Sequence, residues 1–143
     1  MNREIKFRAW DKNKRTMLYP CLIEFYGARD SLTGIQYYSG ILGKTRHYVH
    51  KWNIELMQYT CLKDKNGVEI YEGDIIYFMT VQDDKRQFRK GTVHWSEPDG
   101  RWKVDYWSFG TEIYFSKVKI IGNIWEHPEL LKGDNITNSR KDK

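Results

Sequence analysis

From Ile5 to Trp10 the chain alternates, with Ile5, Phe7 and Ala9 at one parity and Lys6, Arg8 and Trp10 at the other. A period of two marks a β-strand that sends its two sets of side chains to opposite faces. Asp11-Lys12-Asn13-Lys14-Arg15 supplies turn formers before the apolar Met17-Leu18-Tyr19, so the opening reads as a hairpin, broken by Pro20. Leu22 to Tyr26 and Ile35 to Tyr38 read as short strands among Gly27, Gly34, Gly40 and Gly43; a helical turn is also compatible with this region, and a mobile loop is the alternative for Ser39 to Lys44. Trp52, Ile54 and Leu56 then alternate with Asn53, Glu55 and Met57, which predicts a half-buried strand running to Tyr59.

Downstream the turn signals become denser. Asn66-Gly67 tolerates the positive φ of a tight hairpin turn between Leu62-Lys63 and Val68-Glu69-Ile70. Ile75 to Val81 is nearly continuous apolar, Asp83-Asp84-Lys85 turns it, and Phe88 to Trp95 returns with Gly91 as the expected bulge or bend. After a turn at Ser96-Glu97-Pro98-Asp99-Gly100, Trp102, Val104 and Tyr106 alternate with Lys103, Asp105 and Trp107. The last strand is expected from Tyr114 to Ile121, continued by Ile124-Trp125 past a break at Gly122-Asn123. Glu126 to Leu131 reads as one helical turn with Pro128 at its first position and Leu130-Leu131 plugging an open end. Short strands joined by tight turns over this length predict a closed or partly closed small barrel.

Composition agrees with a β-rich globular protein: aromatic residues make up 15% of 143 positions, and mean hydropathy is -0.75. No apolar run approaches the roughly 18 residues that span a bilayer, and the first residues lack the apolar stretch of a signal peptide, so a cytoplasmic protein with no membrane partner is expected. Cys21 and Cys61 have no paired spacing and are expected to be buried thiols. The net charge of +5 is uneven. Residues 1–60 hold ten Lys and Arg against five Asp and Glu, whereas residues 61–131 hold ten against twelve. The basic excess therefore lies outside the expected barrel.

Candidate chemistry is sparse. Glu72 and Asp74 flank Gly73 and suggest a carboxylate pair, but an acid beside glycine at the mouth of a strand more commonly accepts backbone N–H groups in the turn. His47 and His50 would meet on a helix; the intervening Tyr48-Val49 favours a strand, which puts them on opposite faces and argues against a metal site. No phosphate loop, nucleophile elbow or Cys/His pairing is present, so no catalytic residue, metal or cofactor is assigned and no enzyme activity is expected. Arg86, Arg89 and Lys90 beside Phe88, and Arg101 and Lys103 around Trp102, interleave cations with rings, the pattern of a partner or nucleic-acid contact. The competing reading turns Phe88 and Trp102 into the core and leaves the cations to solvate the other face.

Four blocks taken together resemble the YopX-like proteins, a family carried mainly by bacteriophages and prophages. They are Arg3-Glu4-Ile5-Lys6-Phe7-Arg8-Ala9-Trp10-Asp11, the stretch from Gln58-Tyr59-Thr60 through Leu62-Lys63-Asp64-Lys65-Asn66-Gly67, Ile70-Tyr71-Glu72-Gly73-Asp74-Ile75-Ile76, and Ile121-Gly122-Asn123-Ile124-Trp125-Glu126-His127-Pro128-Glu129-Leu130-Leu131. Thr60-Cys61 departs from the family's Thr-Gly, which argues against a left-handed backbone there. The resemblance implies an SH3-like barrel in the C-terminal half, a phage origin and self-association, and carries no known reaction.

The expected organisation is mainly β with little helix. An N-terminal β-hairpin and strand subdomain over residues 1–60 packs against an SH3-like barrel over 61–131, followed by a disordered tail, 132–143. The expected role is a non-enzymatic protein-interaction or self-assembly module, a homo-oligomer, with nucleic-acid binding as the alternative. Tyr106, Trp107 and Tyr114 are expected to serve either the core or a contact surface.

Overall fold

The structure is a computed structural model that describes residues 3–26, 31–105, 107–109, 113 and 117–132; the expectations for Tyr106, Tyr114, Gly27 and the tail beyond residue 132 lie outside them. The chain is mainly β. The opening hairpin forms as its alternation requires, β1 (Phe7–Asp11) against β2 (Thr16–Leu18), with Ala9 opposite Leu18. Asp11 closes the turn by accepting the N–H groups of Asn13 and Lys14 on Oδ1. β3 (Leu22–Tyr26), β4 (Ser31–Ser39) and β5 (Thr45–His50) make a three-stranded antiparallel sheet in that order.

β6 (Ile54–Lys63) is the strand on which the rest is organised. Its first half pairs with β1 and its second half with β7 (Glu69–Tyr71), giving the order β2-β1-β6-β7. The β1–β6 ribbon is buried on both sides, which a half-solvated alternation did not predict. One side presents Ala9, Ile54 and Leu56 to Ile35 and Tyr37 of the three-stranded sheet. The other carries Arg8, Trp10, Met57 and Tyr59, each below one-tenth exposed, towards the second half of the chain.

That second half curls β8 (Asp74–Gln82), β9 (Lys85–Ser96), β10 (Arg101–Val104), β11 (Trp107–Ser108) and β12 (Lys119–Asn123) into one antiparallel sheet, ordered β11-β10-β9-β8-β12. Its concave side holds Ile76, Phe78, Val93, Trp102, Val104 and Val118, joined by Ile70 from β7 and Leu62 from β6. This is a small, barrel-like second core. Asp83 and Asp84, both at positive φ (51° and 60°), turn β8 into β9 tightly.

Several expectations change. Trp52 lies outside the strand, in a 3-10 turn over Lys51–Asn53, and is 72% exposed, because the side chain of His50 accepts its N–H and starts that turn. Of the two alternatives for Ser39 to Lys44, the helical turn is present, a 3-10 turn at Ile41–Gly43. Gly91 makes no bulge, since the β8–β9 register runs unbroken from Ile75↔Thr92 to Gln82↔Lys85. It is glycine because a Cβ there would press into Val104 and the Asp105 carboxylate. Gly122 does not break the last strand either; β12 runs through it with a bulge after Ile120, and Ile124-Trp125 enter a turn whose N–H groups are held by Asn123 Oδ1 at Trp125 and Glu126. Pro128–Leu131 forms the expected helical turn, with Leu130 and His127 against Gly122, but Leu131 is exposed. Both cysteines are exposed, not buried.

Candidate interaction surfaces

Three places bring polar or aromatic groups together. The first is the seam between the β1–β6 ribbon and the barrel. Arg8 Nη2 lies 2.5 Å from Asp74 Oδ1, its guanidinium sits 4.8 Å over the Tyr71 ring, and Asp74 Oδ2 accepts the Tyr71 N–H at 2.8 Å. The expected turn role of Asp74 is therefore present, and Arg8 adds a charge partner that spacing could not reveal. Burial pushes the Asp74 carboxyl up, and the Arg8 charge and the Tyr71 N–H draw it back only in part.

Beside this pair, Lys6 bridges Glu4 and Glu69 at 2.8 and 2.5 Å, and Tyr71 donates to the second oxygen of Glu69. Hydrogen bonds from Lys6 hold the Glu69 carboxyl below its usual value, while burial and the bond to Glu69 push the Tyr71 phenol up to about 12. A cleft of about 620 Å³ runs along Lys6, Tyr19, Leu22, Glu69 and Tyr71, and a smaller hollow of about 320 Å³ reaches Arg8, Asp74 and Asn123. Each of these acids is engaged by a neighbouring cation, so the seam reads as a structural clasp.

The second place is the convex side of the barrel, where the six candidate contact residues separate. Trp102 belongs to the core, edge-on to Trp95 at 5.1 Å. Arg89 shares the concave side with Phe78, donates to Gln87 at 2.6 Å and lies 5.4 Å over Trp107. Arg101 and Lys103 face outward but lean on Asp99, which accepts from Lys103 at 2.9 Å and from Ser96 at 2.6 Å. Arg86 and Lys90 stay outward together with Phe88, which does not enter the core. Phe88 stacks on Tyr77, with centroids 5.4 Å apart and planes within 5°. Tyr77 lies between Lys90 and Lys119 in register. Sequence reasoning missed Tyr77 and Lys119, because strands β8 and β12 meet only in the fold.

The third place is the outward side of the three-stranded sheet. His47 faces inward, stacked on Tyr37 at 5.1 Å, and His50 lies on the other side, as a strand requires. The outward side carries Leu22, Tyr38 and Tyr48, each more than two-fifths exposed, and Tyr48 lies across Gly34. Among the described residues, no group of three His, Cys, Asp or Glu side chains is placed to hold a metal ion.

The family model described as YopX protein matches residues 6–132. The chain belongs to the YopX family. Two solved structures support the same fold for this family member. Protein EF1440 from Enterococcus faecalis is 28% identical, with a TM-score of 0.64 over 92% of this chain and 100% of that one. Protein yopX from Bacillus subtilis is 20% identical, with a TM-score of 0.55 over 93% and 98% respectively. No curated protein matches.

Against the YopX pattern, Cys61 is informative. It keeps the left-handed backbone, φ 66°, at the place where the family pattern has glycine, contrary to what the substitution suggested. The register between β6 and β7 shifts between Tyr59 and Lys63, so the extra residues of the bulge force that conformation whatever the side chain. Cys61 is left outside the core, its thiol donating to the Glu4 carbonyl at 3.2 Å.

Proposed function

We propose that this YopX-family chain is a non-enzymatic interaction module, carried by a phage or prophage and acting in the host cytoplasm, which associates with copies of itself and with a protein partner. The observation that carries this reading is the outward side of the three-stranded sheet. There Leu22, Tyr38 and Tyr48 are exposed, and Phe25, Tyr26, Leu42 and Trp52 add exposed apolar surface from the same part of the chain. Several large apolar and aromatic side chains left exposed on one part of a domain are the usual footprint of a contact with another protein. β3 and β5 are also sheet edges, with a row of backbone groups free of strand partners on one side. No helix among the described residues is long and apolar enough to cross a membrane.

Size-exclusion chromatography with light scattering tests this reading. A discrete oligomer that Leu22→Glu with Tyr38→Glu converts to monomer supports it; a monomer at every concentration removes the self-association.

Nucleic-acid binding is the second reading, favoured by one charge relationship. The five strands of the barrel carry seven Lys and Arg side chains, Lys85, Arg86, Arg89, Lys90, Arg101, Lys103 and Lys119, and one acid, Asp74, which is buried against Arg8. The other acids of residues 61–131 lie outside these five strands, which is why a sum over that segment hides their cationic excess. Affinity for an oligonucleotide that falls steeply with added salt supports this reading.

A further inference from the structure

We infer that the convex face of the barrel binds single-stranded nucleic acid through the stacked Tyr77–Phe88 pair, with Arg86, Lys90 and Lys119 holding the phosphates. The inference rests on the nucleic-acid reading and adds to it a site and a substrate class. Tyr77 and Phe88 are 42% and 49% exposed, although each is a ring large enough to be worth burying. Their mutual stack uses one face of each ring, and both residues keep two-fifths or more of their surface exposed, where a third planar group can add to the stack. A base in a single strand offers such a plane, whereas in a duplex the bases already stack on one another.

The charges fit the same ligand. Lys119 and Lys90 flank Tyr77 in register from the two neighbouring strands, and Arg86 precedes Phe88 by two on the same face. Directly opposed residues in antiparallel strands hold their Cβ atoms about 5 Å apart, so both ammonium groups reach the backbone of a strand whose base lies on the ring. Among the described residues, Asp83 and Asp84 at one turn and Glu97 and Asp99 at another flank these strands, and Asp99 is already engaged by Lys103. Between those turns the strands contribute Arg86, Lys90, Lys119 and the two rings to this face. Because stacking is tolerant of base identity and no groove-reading element is present on the face, the recognition is of strandedness and charge, without sequence preference.

The test is fluorescence anisotropy of the full chain with a labelled oligothymidine strand and a labelled duplex of equal length. The single strand is expected to bind more tightly than the duplex, with a log–log salt slope of about −2, from three phosphate contacts at about 0.7 each. Tyr77→Ala with Phe88→Ala should weaken single-strand binding about tenfold or more, the loss of one or two stacked bases. Lys119→Glu should weaken it and flatten the slope, and Arg46→Glu on the other sheet should leave it unchanged. Thermal unfolding of each variant checks that the barrel persists. Tyr77→Leu with Phe88→Leu serves if the alanine pair unfolds, since it keeps apolar cover over Met79 while removing the rings. Failure to bind any nucleic acid at low salt overturns the nucleic-acid reading as a whole. Equal binding of duplex and single strand, or ring variants that bind as the parent does, overturns this inference and leaves that reading standing.

Discussion

Arg8 and Asp74, 66 residues apart in sequence, meet at 2.5 Å in the seam between the opening hairpin and the barrel, with side chains only 10% and 2% exposed. The pair is the most deeply buried ion pair among the described residues, and it ties two of the four blocks that mark the family. Removing Arg8 strands the carboxylate. Arg8→Met should therefore cost about 3–5 kcal/mol in urea unfolding at neutral pH. Asp74 already has a raised value from burial, so without Arg8 it rises further. The fold then favours the protonated acid, and the loss should shrink as pH falls towards 4. A cost independent of pH would show that the packing of Arg8 on Tyr71, and not its charge, matters.

Tyr71 should be a late tyrosine to ionise. Its phenol is raised from 10.0 to about 12, by burial first and by its bond to Glu69 second. A raised folded value stabilises the native state fully below pH 10 and withdraws that stabilisation as pH climbs through 12. Alkaline absorbance titration of the parent against Tyr71→Phe should lose a component near pH 12. Loss of a component near 10 would contradict the burial argument.

Asp64 works in the opposite sense. Burial pushes its carboxyl up, but N–H groups of Val68, Asn66 and Ile120 donate to it and together hold it below 3.8. A depressed value means stability present above 3.8 and lost as pH falls towards the folded value. Asp64→Asn should remove that acid-side slope and loosen β12, where Ile120 is held, seen as faster amide exchange at Ile120.

Cys61 carries backbone strain that glycine would relieve. A left-handed backbone costs a residue with a Cβ about 1–2 kcal/mol, and part of the gain is returned as chain entropy of glycine in the unfolded state. Cys61→Gly should raise stability by about 0.5–1 kcal/mol. Cys61→Val should lower it, because a β-branched residue fits that region worst. A destabilised glycine variant would mean that the thiol bond to Glu4 outweighs the strain.

Gly34 has a different reason for its identity. A Cβ there would lie 2.5 Å from the Val49 carbonyl and 2.5 Å from the Tyr48 hydroxyl. Tyr48 can swing away, but the Val49 carbonyl belongs to the paired strand. Gly34→Ala should thus open the β4–β5 pairing and cost about 1–3 kcal/mol, with the amides of β5 losing protection before those of the barrel.

Short-range chemistry was legible in the chain alone. Alternation fixes which parity of β1 faces which side, Gly67 and Asp83-Asp84 take up positive φ, and Pro128 opens a helical turn, because each depends on neighbours a few bonds away. The family was legible for the same reason, as its blocks are strings of adjacent residues. Three matters needed the tertiary structure. Burial of both faces of β1 and β6 requires two cores on either side of one ribbon, and the period of two says only that the faces differ. The Arg8–Asp74 clasp and the Lys119–Tyr77–Lys90 row join strands whose pairing is set by sheet order, which no local pattern encodes. The charge of the barrel strands also escaped summation along the sequence: Arg86, Lys90, Arg101, Lys103 and Lys119 share the outward side, while the acids of residues 61–131 other than Asp74 lie outside these five strands, so a segment of net negative charge groups cations on one face.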